Sequence, residues 1–111
     1  MESPWFAVQH QDMLFASYSG VDCVKVFSKE GEFLYNIGRS QLRFPRGMTI
    51  DKFNNLVICD SYNSRLQIFT LDGKFLDSVN EEMEHPLFVA VSKGGELLIC
   101  DLDAHCIHVY Q

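Results

Sequence analysis

The chain lacks any apolar run long enough to cross a membrane. Nothing in its 111 residues approaches the roughly eighteen unbroken apolar residues that a helical span needs. Its first residues, Met1-Glu2-Ser3-Pro4, carry no basic group, and residues 5–17 mix polar with apolar, so no secretory leader is expected. No Cys-x-x-Cys spacing occurs among Cys23, Cys59, Cys100 and Cys106, so the usual zinc-binding patterns are missing and no metal or other cofactor is expected. Without a leader, the expected setting is reducing and cytoplasmic, with thiols in place of disulfides. Basic charge is scarce: nine Lys and Arg stand against fifteen Asp and Glu, for a formal net charge of −6. That balance argues against broad, non-specific nucleic-acid binding but leaves room for a local basic patch. A helical period is missing too. Apolar runs are about four to six residues long and bounded by Gly, Asn, Asp or Pro, the pattern of an all-β chain.

What the chain does have is apolar mass and repetition. It is 47% hydrophobic with nine Phe, enough for one packed domain. Proline recurs every 41 residues, at Pro4, Pro45 and Pro86. Each proline opens a strand-like run, Trp5–Val8, Gly47–Ile50 or Leu87–Val91, followed by a polar hairpin, the first of them shorter by two residues in the alignment. A second, apolar strand follows, Met13–Ala16, Leu56–Cys59 or Leu97–Cys100, ended by Ser17, Asp60 or Asp101. The third strand is Val24–Phe27, Leu66–Phe69 or Ile107–Tyr110. A fourth occurs twice, Phe33–Ile37 after Glu30-Gly31 and Phe75–Val79 after Asp72-Gly73. The second strands are apolar on both faces, as strands sandwiched between two neighbouring sheets must be. Cys59 with Cys100, and Cys23 with Cys106, fall at equivalent positions and are expected as small buried side chains.

Four short strands in a unit of about 41 residues match a propeller blade. The residues closely resemble NHL repeats. The middle unit carries the pattern almost complete, with Pro45, Gly47, Asp51, Asp60, Asn63, Arg65, Gln67, Phe69, Asp72, Gly73 and Phe75. The first unit departs from it with Trp5-Phe6 at the Arg-Gly positions, Ser17 for the Asp and Cys23 for the Arg; the third has Leu87-Phe88 and Cys106. The resemblance implies a partial NHL β-propeller with repeats at 3–38, 44–79 and 85–111, the last lacking its fourth strand. It also implies a full propeller of about six such units. Its open blade faces then need further blades from a longer chain, of which this would be a fragment, or self-association.

Meander topology places the loop between strands two and three at the same end as the connection joining successive blades. Arg39, Arg43 and Arg46 lie in that connection, and Tyr62, Asn63 and Arg65 lie in or beside the loop. These six are the candidate binding residues, and they include every arginine of the chain. Arginine beside tyrosine suits phosphate contacts and base stacking, or an acidic protein partner. The competing reading is structural: Arg65 pairs only with Asp60, and loop arginines are merely solvated. Glu81, Glu82 and Glu84 sit at the same end one blade along, repelling RNA and favouring a protein partner. RNA binding is the alternative. A metal-dependent propeller enzyme is the third reading; it would draw on His10, His85, His105 and His108, with Asp101 and Asp103 near the last two. Against it, His85 has Phe44 and Ser3 at the equivalent places, and His108 replaces Gln67 and Lys25 within a strand, reading as a blade-surface residue. No nucleophile–base arrangement appears. The resemblance extends to tripartite-motif proteins, where ubiquitin-ligase chemistry resides in a separate module; this segment would select the substrate.

Overall fold

The computed structural model describes residues 4–80, 83–103 and 106–110, Cys106 by its backbone alone. Eleven strands run in chain order: β1 (Phe6–His10), β2 (Met13–Tyr18), β3 (Cys23–Ser28), β4 (Phe33–Ile37), β5 (Pro45–Ile50), β6 (Leu56–Asp60), β7 (Arg65–Phe69), β8 (Phe75–Val79), β9 (Pro86–Val91), β10 (Leu97–Asp101) and β11 (Cys106–Tyr110). They form three antiparallel meanders, β1-β2-β3-β4, β5-β6-β7-β8 and β9-β10-β11. The fold is all-β, with three propeller blades. No helix among the described residues is long and apolar enough to cross a membrane.

The doubly apolar second strands are explained by the packing. In β6 every residue is buried, because the middle blade lies between the other two. Phe15, Val24, Val26 and Ile37 of blade 1 meet Met48, Leu56, Ile58 and Phe69 of blade 2. Val57, Cys59, Leu66 and Val79 on the far side of blade 2 meet Val89, Leu97 and Ile99 of blade 3. Side chains of this size each contribute about 1.5–3 kcal/mol on full burial, which makes the two inter-blade seams the main source of cohesion. Gly47 allows the second seam to close. A Cβ there would stand 2.7 Å from the Leu87 carbonyl oxygen and 2.8 Å from Phe88 Cα. Across that gap Phe6 of blade 1 and Phe88 of blade 3 meet edge to face at 5.9 Å.

Hydrogen bonds tie the same seams. Ser19 Oγ donates to the Pro45 carbonyl at 2.8 Å, and Ser61 Oγ donates to the Pro86 carbonyl. Both serines open a short 3-10 turn between the second and third strands, Ser19–Val21 and Ser61–Asn63. Each turn is closed by a left-handed residue, Asp22 at φ 55° and Ser64 at φ 56°. Ser17 Oγ adds a bond to the Arg46 carbonyl at 2.9 Å, and the Tyr35 hydroxyl donates to the Leu71 carbonyl at 2.7 Å.

Two expectations need correction. Register places Tyr18, not Ser17, at the position of Asp60: Tyr18 pairs with Cys23 as Asp60 pairs with Arg65. The first hairpin is one residue shorter than the others and not two, so the alignment slips by one there. The second correction concerns the thiols. Cys23 and Cys59 are buried, but Cys100 is exposed, because among the described residues no sheet covers the far face of blade 3. Burial, with a smaller contribution from nearby Cys100, pushes the Cys59 thiol far above its ordinary range. The Cys106 side chain lies outside the described residues.

Candidate functional site

The connection between blades 1 and 2 is gripped from both sides. Arg43 N donates to Asp60 Oδ1 at 2.6 Å in blade 2, and Phe44 N donates to Asp22 Oδ1 at 2.9 Å in blade 1. Tyr62 N donates to the Arg43 carbonyl at 3.1 Å, which seats the Ser61–Asn63 turn against the connection. Phe44 is held at φ 53°, a left-handed conformation costing a non-glycine residue about 1 kcal/mol or more unless its neighbours impose it. The two carboxylates impose it here. Backbone contacts thus set the shape of this surface.

All six candidate residues lie in or beside these two segments, but they do different things. Arg39 and Arg43 are exposed. Tyr62 is 49% exposed, its ring 4.2 Å from Phe44 and 5.7 Å from His85. The other three are occupied within the fold. Arg65 Nε donates to Asp60 Oδ2 at 2.9 Å, and its Nη2 donates to the Gln41 carbonyl at 2.9 Å. Asn63 Nδ2 donates to the same Oδ2 at 3.0 Å. Asp60 is fully buried and therefore acts as a hub, accepting from a backbone amide and two side chains. Arg46 packs its guanidinium over Trp5 at 5.2 Å and over Phe44 at 5.4 Å. Its Nε is buried and makes no hydrogen bond among the described residues.

Trp5, Arg46, Phe44, Tyr62 and His85 thus form a stacked row across three blades. Trp5, Phe44 and His85 were not among the six binding candidates, His85 having been considered only as a metal ligand. The available signal was the aromatic or imidazole ring immediately beside each repeat proline: Trp5 after Pro4, Phe44 before Pro45 and His85 before Pro86. At the far end of the row, His85 Nδ1 lies 4.0 Å from Asp103 Oδ2, and exposed Glu84 precedes it. Glu81, Glu82 and His105 lie outside the described residues.

His108 lies on a blade face opposite Ile99, at the register of Gln67, and it also reaches a buried carboxylate. Its Nε2 lies 3.0 Å from Oδ2 of Asp101, a carboxylate 1% exposed. Asp101 also accepts from Glu84 N at 2.8 Å and His85 N at 2.9 Å, repeating the grip that Asp60 holds on Arg43. Cys106 stands where Arg65 would be, so the imidazole two residues further along β11 reaches the carboxylate instead. No group of three metal-ligating side chains occurs among the described residues.

Comparison with known proteins fits this geometry. Residues 42–69 and 84–110 match the NHL repeat. The human E3 ubiquitin-protein ligase TRIM32 is 30% identical over 65 residues, covering 59% of this chain, and its mouse counterpart is 28% identical over the same length. The chain spans 10% of the length of these curated relatives. Among solved structures, a streptogramin B lyase matches with a TM-score of 0.75 at 14% identity, over 94% of this chain and 39% of that one. BamB from Moraxella catarrhalis matches with a TM-score of 0.62 at 14% identity, over 95% and 43%. At such identities the likeness concerns the fold alone.

Proposed function

We propose, for a chain that belongs to the NHL-repeat family, that it is a non-catalytic interaction module which captures an extended protein segment at the connection end. The observation that carries this reading is the exposed Tyr62 ring, stacked on Phe44, with exposed Arg39 and Arg43 in the same connection and exposed Glu84 in the next. A flat aromatic anchor between cationic and anionic groups suits a peptide bearing an apolar side chain flanked by charges of both signs. A polyanion would meet Glu84 unfavourably. Arg46, Asn63 and Arg65 support the surface by holding Trp5, Phe44 and the Asp60 hub in place.

RNA binding is the second reading, and the stacked aromatic row is what favours it, since every base offers a face to such a platform. The likeness to TRIM32 supports placing this module in a ubiquitin-ligase parent, where it would choose the substrate while another module performs the transfer. A reducing, cytoplasmic setting is in keeping with the thiols of Cys59 and Cys100.

The test is a selection of displayed peptides against the 111-residue chain, followed by affinity measurements with Tyr62→Ala and with Arg39→Glu/Arg43→Glu. Both variants should weaken the selected peptides by about tenfold or more, as truncation of an interface anchor does. Short single-stranded RNA binding with a steep salt dependence, and no peptide selected, would replace this reading with the RNA one.

A further inference from the structure

The two seams between blades are built alike but filled differently. Register puts Asp77 of β8 opposite Ile68, as it puts Tyr35 of β4 opposite Val26. Tyr35 packs against the core shared by blades 1 and 2, which includes Leu56 and Phe69, and its hydroxyl crosses the seam to the Leu71 carbonyl at 2.7 Å. The counterparts of Leu56 and Phe69 in blade 3 are Leu97 and Tyr110, paired across strands in the same way. Asp77 is too short and too polar to fill the place that a tyrosine fills in the first seam. It is exposed, and its Oδ1 accepts from Ser78 N at 2.8 Å.

A cavity of about 250 Å³ lies there, between the faces that blades 2 and 3 already turn to each other. Ile68, Leu76 and Asp77 wall it from blade 2, Leu97 and Tyr110 from blade 3. The exchange of an aromatic residue for a carboxylate within blade 2 is what distinguishes this seam from its twin. The rim is the hairpin end, opposite the blade connections, where Lys52 runs across Gly95 and sets its ammonium 5.3 Å from the Phe53 ring. Asp51 adds a second carboxylate to the lining, its Oδ1 accepting from the amides of Phe53 and Asn55.

Size and charge indicate what suits the space. An apolar cavity of about 150 Å³ takes up a benzene ring, so one of about 250 Å³ has room for a single ring and a short arm. A single ring is also what the first seam holds, in Tyr35. Two carboxylates against one ammonium favour a cation, and among the described residues no Lys, Arg or His pairs with Asp77. We propose that the cavity between blades 2 and 3 binds a small aromatic amine. Its ring takes the place that Tyr35 fills in the preceding seam, and its ammonium meets the Asp77 carboxylate.

Tyramine is the probe, titrated into the 111-residue chain and followed by the backbone amide resonances of Asn55, Ile68, Asp77 and Gly95. These should shift with a dissociation constant of about 1 mM or tighter, as suits so small a ligand. Hydroxyphenylpropionate, which keeps the ring and reverses the charge, should bind about three- to tenfold more weakly. Asp77→Asn should bring the two probes within about twofold of each other. Asp77→Tyr supplies the ring itself at an exposed position, so it should abolish binding and raise the Tm by roughly 2–8 °C, the melt also showing that the variant is folded. Amides unmoved about tenfold above the expected dissociation constant, or shifts confined to the aromatic row at the connection end, overturn the proposal. Equal binding of the two probes by the parent chain, or tyramine binding that survives Asp77→Tyr, overturns it too.

Discussion

Replacing Asp60 with alanine should remove the hub beneath the connection. Three donors lose their acceptor: Arg43 N at 2.6 Å, Arg65 Nε at 2.9 Å and Asn63 Nδ2 at 3.0 Å. Hydrogen bonds to a charged acceptor are each worth about 1.5–3 kcal/mol, so simple addition would predict a loss larger than many domains can survive. Two features reduce it. The Arg65 side chain is 31% exposed and can turn to water, and it keeps its bond to the Gln41 carbonyl. The expected cost is therefore about 2–4 kcal/mol, or a fall in Tm of roughly 10–25 °C for a domain of this size. Asp60→Asn should cost about half as much, since its carbonyl still accepts while its amide faces donors. Urea denaturation followed by far-UV circular dichroism, with the single Trp5 as a second probe at the arginine row, measures both. A double-mutant cycle with Arg65→Met should return a coupling of about 1 kcal/mol. An Asp60→Ala chain within about 0.5 kcal/mol of the parent would refute the hub, as surface substitutions away from such features fall in that range.

Gly47→Ala should destabilise by about 1–3 kcal/mol, because the new methyl meets backbone atoms of Leu87 and Phe88 that cannot swing aside; thermal melting checks it. Tyr35→Phe should cost about 1 kcal/mol through the lost bond to Leu71, measured by urea denaturation. Burial first, and Asp72 second, raise the Tyr35 phenol above its ordinary value, so the unfolded chain loses this proton first as pH rises. The stability Tyr35 contributes is thus complete below the unfolded value of about 10 and fades above it, and Tyr35→Phe should flatten the alkaline limb of the stability profile. Alkylation at mildly alkaline pH should spare Cys59, whose thiol is buried and held protonated, while modifying exposed Cys100.

Much of the fold was legible because it is written three times. A unit that recurs with proline every 41 residues, and whose second strand is apolar on both faces, leaves few architectures open. The co-location of Arg43 and Tyr62 followed from meander topology alone. Other features depended on contacts between blades. Nothing local indicates that Arg46 rests on Trp5, a residue 41 positions away. The exchange of Arg65 for His108 moves the partner of the buried carboxylate two residues along a strand, which no fixed repeat position can reveal. The slip that puts Tyr18 in the place of Asp60 came from one missing hairpin residue. Cys100 differs because equivalence of position is not equivalence of cover: among the described residues no sheet packs on that face of blade 3.

The grip on the connections has a consequence for how such a surface can change over generations. Asp60 holds Arg43 by its backbone amide, and Asp101 holds Glu84 in the same way, at 2.6 and 2.8 Å. The two side chains carry opposite charges, yet the frame beneath them is alike. A main-chain grip is indifferent to what the residue displays, so the outward side chain can be exchanged at little cost to folding. Within this one chain the same socket has already been fitted with a cation and with an anion. New specificity would then come from relettering the display, while the carboxylates that carry the load stay where they are.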